Sequence, residues 1–462
     1  MFEPTKLSVS SAPASTQTSV PVTIWQTSAD QTLLFQKQIS TLYFDKEANN
    51  LPILSLKPKQ HYQVIEGFGF SLTGGSALLI NRLPIQKKQA LLKELFSPET
   101  NGIGISFLRL SIGASDLSEH CFSYDDQPAG HSDHALIHFN IQAGDQAVIP
   151  LLQDILKINP ELKIIATPWS APIWMKTQPS FIGGKLKPDC YAVYAAYLVK
   201  YLLIMREHGI VINAITPQNE PLNQKNEPSM LMEATEQVAF IKNHLGPALW
   251  ANGLKAVEVF CWDHNCDVKE YPLTVFADTE ARRYLSGSAW HLYGGEISTL
   301  SEVHQAYPEQ KLYFTEQWVG SDGQFGGDLL WHIKNVLIGS IRNWSRAVLE
   351  WNLASDPHCG PHTPSGEARC VGALTIGETV TRNVAYYVIA HAAKWVRPGS
   401  VRIYSETLTE LPNVAFLTPA GEIVLIVLNE SAESLSFNIE WQAQKATTRL
   451  AAKTVATYVW HP

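Results

Sequence analysis

Leu162-Lys163-Ile164-Ile165-Ala166-Thr167-Pro168, the run Tyr191 to Arg206, Gly209, and Val211-Ile212-Asn213-Ala214-Ile215-Thr216-Pro217 decide the fold. The outer segments are short β-rich runs, each closed by a proline. Between them Tyr194, Tyr197, Leu198, Tyr201, Leu202 and Met205 recur at three and four, the stripe of a buried helix. Gly209 supplies the stop. Together they read as one strand–helix–strand unit.

The rhythm extends both ways. Strands are expected near 63–70, 105–111, 162–168, 211–217, 256–262, 287–292, 311–316 and 346–351. Helices are expected near 85–96, 147–157, 234–245, 274–285, 325–342 and 382–396. Such alternation predicts an α/β fold, a (β/α)8 TIM barrel. The competing doubly wound sheet carries a glycine-rich phosphate loop after its first strand. The stretch Gly67-Phe68-Gly69-Phe70-Ser71-Leu72-Thr73-Gly74-Gly75-Ser76 lacks the G-x-G-x-x-G spacing, so that reading fails.

Beyond Pro398 no helix pattern intervenes. Val401–Tyr404, Val414–Leu417, Ile423–Leu428, Ser434–Ile439 and Ala456–Trp460 read as strands of a small all-β sandwich. Short N-terminal strands, such as Thr32 to Phe35, have no barrel role and are expected to complete it. The expected organisation is a Ser/Thr/Pro-rich flexible tail at 1–20, sandwich strands in 21–60, the barrel in 61–397 and the C-terminal sandwich segment in 398–462.

Of 462 residues, 45% are hydrophobic and 17% charged, enough apolar material for a large core. A net charge of −8 argues against nucleic-acid binding and against a polybasic membrane-surface protein. No apolar run reaches the length of a transmembrane segment. No basic start leads into an apolar run, so no signal peptide is read and the compartment stays open. Six cysteines imply no disulfide framework; pairing of Cys261 with Cys266 and of Cys359 with Cys370 stays open, with free thiols the simpler expectation. The oligomeric state is not legible.

Barrel enzymes place their chemistry at the C-terminal strand ends. Strand four ends in Asn219-Glu220-Pro221 and strand seven in Thr315-Glu316-Gln317. Two carboxylates facing one cavity are what glycosidic bond cleavage requires. Asn219 is placed to bond a sugar hydroxyl, and Arg109, at the end of strand two, to keep Glu316 ionised. His291 and Tyr293 end strand six and are candidates for orienting Glu316. Trp169 and Trp351, among thirteen tryptophans, offer ring faces for a sugar. Asp263-His264-Asn265-Cys266-Asp267 has mixed ligand types without metal-site spacing and reads as a loop supporting the rim; no metal and no cofactor are expected.

These anchors resemble glycoside hydrolase family 30, the glucosylceramidase-like group. Gly67-Phe68-Gly69, Leu108-Arg109-Leu110-Ser111, Thr167-Pro168-Trp169-Ser170, Asn219-Glu220-Pro221, His291-Leu292-Tyr293, Thr315-Glu316, Trp351-Asn352-Leu353 and Lys394–Ser400 carry the resemblance, in order, over about 60 to 460. It implies a barrel with a sandwich built from both chain ends, and retention of anomeric configuration. It implies Glu220 as acid/base and Glu316 as nucleophile, with Arg109, Trp169, Asn219, His291, Tyr293 and Trp351 around the sugar. The expected activity is hydrolysis of terminal β-glucosides, with glucosylceramide-like glycolipids as substrates. Endo-β-1,6-glucanase, exo-xylosidase or fucosidase action, and non-catalytic carbohydrate binding are the alternatives. Gly74 stands where the glucosylceramidase pattern has an aspartate, which leaves sugar and aglycone specificity open.

Overall fold

The computed structural model of the chain describes residues 20–462 apart from 46–48, 100, 142–143 and 145. The expected tail thus lies, for residues 1–19, outside the described residues.

Eight parallel strands close into a barrel. They are β1 (Gly67–Ser71), β2 (Phe107–Ile112), β3 (Lys163–Pro168), β4 (Ala214–Ile215), β5 (Glu258–Cys266), β6 (Gly287–Gly295), β7 (Lys311–Glu316) and β8 (Ser345–Asn352). Each overlaps a strand expected from sequence. β1 and β2 approach closely: a Cβ on Gly69 would lie 1.8 Å from the Phe107 carbonyl oxygen. Glycine is the residue that permits this contact. Thr73 then caps the helix Gly74–Arg82, its hydroxyl accepting from the Ser76 amide at 3.0 Å. The helix Tyr191–Glu207 buries its tyrosine stripe with Val193, Leu198, Leu202 and Met205, as the outer layer of a barrel requires.

Strand periodicity builds the barrel interior in layers. Phe107, Ile165, Ala214, Phe260, Ala289, Tyr313, Ala347 and Leu349 form one apolar layer. Two residues further along their strands, Arg109, Thr167, Thr216, His291 and Thr315 form a polar layer, also buried. The cavity lies above that layer.

Below the apolar layer, at the N-terminal strand ends, Glu66 binds Lys163 at 2.7 Å, Lys311 at 2.9 Å and the Tyr313 hydroxyl at 2.5 Å. This end of the barrel is tied by ion pairs rather than opened for chemistry.

The sandwich draws on both chain ends. Pro21–Ser28 pairs antiparallel with the last strand, Thr454–Trp460. Ile53–Val64 pairs with Val401–Ser405 and with Leu435–Trp441. Its core, including Val22, Leu54, Ile403, Leu425, Phe437 and Tyr458, is separate from that of the barrel. The hairpin strand Gln444–Leu450, missed in the sequence reading, buries Ala446 and Leu450.

The strand expected at Thr32 to Phe35 does not form. Gln31 and Phe35 have positive φ, 63° and 48°, and the Asp30 carboxylate accepts from the Ser28 and Thr32 hydroxyls. That turn chemistry moves the pairing segment on to Gln36–Lys37. All six cysteines are free thiols, so neither candidate disulfide exists. No helix of the described residues is long and apolar enough to cross a membrane.

Candidate active site

A cavity of about 580 Å³ opens at the C-terminal strand ends. Glu220, Glu316, Tyr293 and Trp351 line it. Arg109, Asn219, His291 and Trp169 do not line it; they lie buried and support the groups that do.

β4 is only two residues long, and the chain leaves it without regular structure. Backbone bonds fix the path: the Asn219 amide donates to the Pro168 carbonyl at 2.8 Å and the Glu220 amide to the Asp263 carbonyl at 3.0 Å. Glu220 itself has φ 42°, a left-handed conformation that a glutamate adopts only where its surroundings impose it.

Glu316 is held from two sides. Arg109 Nη1 donates to its Oε2 at 2.5 Å, and the Tyr293 hydroxyl to its Oε1 at 2.9 Å. Burial raises the Glu316 carboxyl, while His291 and Arg109 oppose that rise by favouring its anion. Arg109 also donates through Nη2 to Asn219 Oδ1 at 2.6 Å and to Asp263 Oδ2 at 2.9 Å. The guanidinium lies 4.8 Å from the Trp169 ring and 5.5 Å from that of Trp351, which stack on each other. Trp169 therefore sets the plane of Trp351, and Trp351 presents it to the cavity.

Asp263 is the centre of this network, and the sequence reading missed it. The segment Asp263 to Cys266 is not a loop but the end of β5. Asp263 is fully buried and accepts from Arg109, from the hydroxyls of Thr167, Thr216 and Thr315 at 3.1, 2.8 and 2.7 Å, and from His291 Nε2 at 3.1 Å. It points inward because β5 carries an extra residue there: Ala289 pairs with Trp262, yet Trp290 pairs with His264. Trp262 and Asp263 both take positive φ at this bulge, 73° and 67°.

His291 joins the carboxylates. With Nε2 donating to Asp263, its Nδ1 lies 3.2 Å from Glu220 Oε1 and 3.7 Å from Glu316 Oε1. Although burial opposes it, Glu316, Asp263 and Glu220 raise the imidazole to about 9. Against its own burial, Glu220 is pulled down to about 2 by His291 and His264. These opposite shifts place a proton on His291 Nδ1, facing an ionised Glu220 Oε1.

Glu220, His291 and Glu316 each place a ligand atom within 4.8 Å of the others. The same three atoms' residues are already engaged by Asp263, Arg109, Tyr293 and one another, and that donor set suits a carboxylate pair better than a resident cation.

Asp116 also lines the cavity and was not singled out from sequence. It follows β2 in a loop and is buried; burial, with Glu316 and Glu220 nearby, raises its carboxyl to about 8. Gly74 opens a helix, against Ser118, and Asp116 supplies the carboxyl from another loop.

The outer rim is polar. Gln224, Lys225, Asn226 and Glu367 line it, with Leu222 and Trp318 as its apolar members. Glu227 clasps the two rim loops together: its Oε2 accepts from the Ser365 amide at 2.7 Å, and its carbonyl from the Thr363 hydroxyl at 2.6 Å.

Comparison with known proteins agrees with this architecture. The description "Glycosyl hydrolase family 30 TIM-barrel domain" matches residues 65–396 and "Glycosyl hydrolase family 30 beta sandwich domain" residues 399–458. An endo-1,6-β-D-glucanase of Aspergillus fumigatus is 32% identical over 428 residues, covering 86% of this chain and 85% of its own. A solved endo-β1,6-glucanase superposes with a TM-score of 0.88 at 34% identity, covering 96% of this chain and 99% of that one. The lysosomal acid glucosylceramidase of Mus musculus is 29% identical over 438 residues, 88% of this chain and 83% of its own. The glucanase alternative is thus better supported than the glucosylceramide reading.

Proposed function

Because the chain belongs to glycosyl hydrolase family 30 and is a glycoside hydrolase, we propose that it is a retaining endo-β-1,6-glucanase. Glu316 is its nucleophile and Glu220 its acid/base. The observation that carries the reading is the carboxylate pair, with one oxygen of each within 4.8 Å, at the floor of a polar-rimmed cavity. That spacing suits direct attack; an inverting pair stands about 6.5–9.5 Å apart to admit a water.

In the first step a Glu316 oxygen bonds to the anomeric carbon while the glycosidic bond breaks. The proton held on His291 Nδ1 passes through Glu220 to the departing O6 of the next sugar. Arg109 holds the anion in place. Once Glu316 is esterified its charge is gone. Glu220 then takes a proton from water, and the hydroxide adds to the same carbon and frees Glu316. Asn219 bonds the 2-hydroxyl, where contact strengthens as the oxocarbenium ion develops.

The rim supports a sugar rather than a lipid as leaving group. A ceramide needs an extended apolar surface beside the cavity. Asn226, Lys225, Gln224 and Glu367 present hydrogen-bonding groups there instead, which suits further glucosyl units.

Product analysis on linear β-1,6-glucan tests this reading. A ladder of short oligosaccharides from the first minutes supports it. Release of glucose alone, or faster cleavage of glucosylceramide in detergent, overturns the endo-glucanase assignment.

A further inference from the structure

The two oxygens of Glu220 have different partners. Oε1 faces His291 and, at 3.9 Å, His264. Oε2 accepts from the Asn223 side-chain amide at 2.7 Å. Asn223 lines the cavity and sits in the same rim loop as Leu222, Gln224, Lys225 and Asn226. That loop is firmly placed. The Asn223 amide nitrogen of the backbone donates to the Glu220 carbonyl at 2.8 Å, and Asn223 Oδ1 accepts from the Lys225 amide at 3.0 Å. Glu227 fastens its far end to the loop carrying Thr363 and Ser365.

We propose that Asn223 is a positioning residue that aims Glu220 Oε2 at the leaving-group side of the cavity and favours the ionised carboxylate needed in the second step. This rests on Glu220 being the acid/base. The side-chain amide is oriented by its Oδ1 bond to Lys225, so its nitrogen is the group turned to Glu220. A nitrogen donor bonds a carboxylate more strongly than the protonated form, whose oxygens are weaker acceptors. Asn223 thus holds Glu220 aimed and ionised as the second step begins, and gives up its bond as Glu220 takes the proton from water. Its position in the rim loop adds a consequence. A sugar hydroxyl arriving at the leaving-group side competes for the same amide, so occupancy there releases Oε2 for protonation. Water, which enters after the leaving sugar departs, meets Oε2 again paired with Asn223.

The test is Asn223→Ala beside Glu220→Ala, each compared with the parent on dinitrophenyl and methyl β-glucosides. The substituted residue is partly exposed and outside helix and strand, so the fold should persist; thermal melting checks this. For Asn223→Ala the inference expects kcat on the dinitrophenyl substrate, limited by the second step, to fall about tenfold or more. It also expects the alkaline limb of kcat/KM on the methyl substrate to move upward, since the ionised form has lost a donor. Unchanged kcat on the dinitrophenyl substrate with an unmoved alkaline limb overturns it, as does an equal loss on both substrates with no change in pH profile. Azide rescue of Glu220→Ala reports separately on the acid/base assignment. Its failure sinks that reading, whatever Asn223→Ala does.

Discussion

His291 Nε2 lies 3.1 Å from Asp263 Oδ1, both side chains wholly buried. Through this contact Asp263, which is not among the residues lining the cavity, helps hold the proton on His291 that faces Glu220. The imidazole is raised to about 9 by Glu316, Asp263 and Glu220 in spite of its burial. It therefore favours the folded state fully below its ordinary value of 6.5, a contribution lost as pH rises through about 9. Asp263→Asn removes part of the charge that holds the proton. The alkaline limb of kcat/KM should move down by about one pH unit or more, with thermal stability reduced because Arg109 loses a buried partner. A pH–rate profile of the folded variant checks this.

Glu220→Ala should slow cleavage of poor leaving groups by about 10²–10⁴-fold, and far less with dinitrophenol. Azide should restore turnover on the dinitrophenyl substrate and yield the β-glycosyl azide. Steady-state rates with product identification read both.

Asp116 is neutral over the acid and neutral range because burial, with Glu316 and Glu220 close by, raises it to about 8. Below that pH its protonated carboxyl is expected to donate a hydrogen bond to a sugar hydroxyl; above it, a third carboxylate lines the cavity with the other two. KM for a small β-glucoside should rise as pH passes about 8. Asp116→Ala should lower kcat/KM by about 10- to 100-fold, the loss of one strong hydrogen bond. Initial-rate measurements from pH 6 to about 9 decide it.

Glu66 serves stability alone. Lys163, Tyr313 and Lys311 hold its carboxyl down to about 2, against its burial, from an ordinary 4.5. Its contribution is present above pH 4.5 and lost as pH falls through about 2. Glu66→Gln should cost about 1–3 kcal/mol at neutral pH and leave kcat unchanged. Denaturant unfolding followed at pH 7 and pH 3 checks the amount and its sign.

The barrel was legible because alternating strand and helix periodicity survives in one sequence, and its eight strands fall where that rhythm puts them. Glu220 and Glu316 were legible because Glu316 ends β7 and Glu220 lies just beyond the end of β4. Asp263 was not, since its inward direction depends on one extra residue in β5; strict alternation would send Trp262 inward instead. Asp116 lies in a loop, where periodicity says nothing about direction. The short turn at Ser28 to Phe35 hid behind a β-prone composition; the Ser28, Asp30 and Thr32 side chains were the signal that could have exposed it. The rim was not legible because its polar side chains come from two segments far apart in sequence, 222–226 and 367, which the Glu227 contacts bring together.

The central claim is a covalent intermediate on Glu316. The most direct measurement is intact mass after incubation with 2-deoxy-2-fluoro-β-glucosyl fluoride, followed by peptide mapping. The fluorine slows both steps, and the reactive leaving group lets the adduct accumulate. The account predicts one fluoroglucosyl group per chain, carried by Glu316. An adduct on another residue, or fluoride released in steady turnover with inversion at the anomeric carbon, would contradict it.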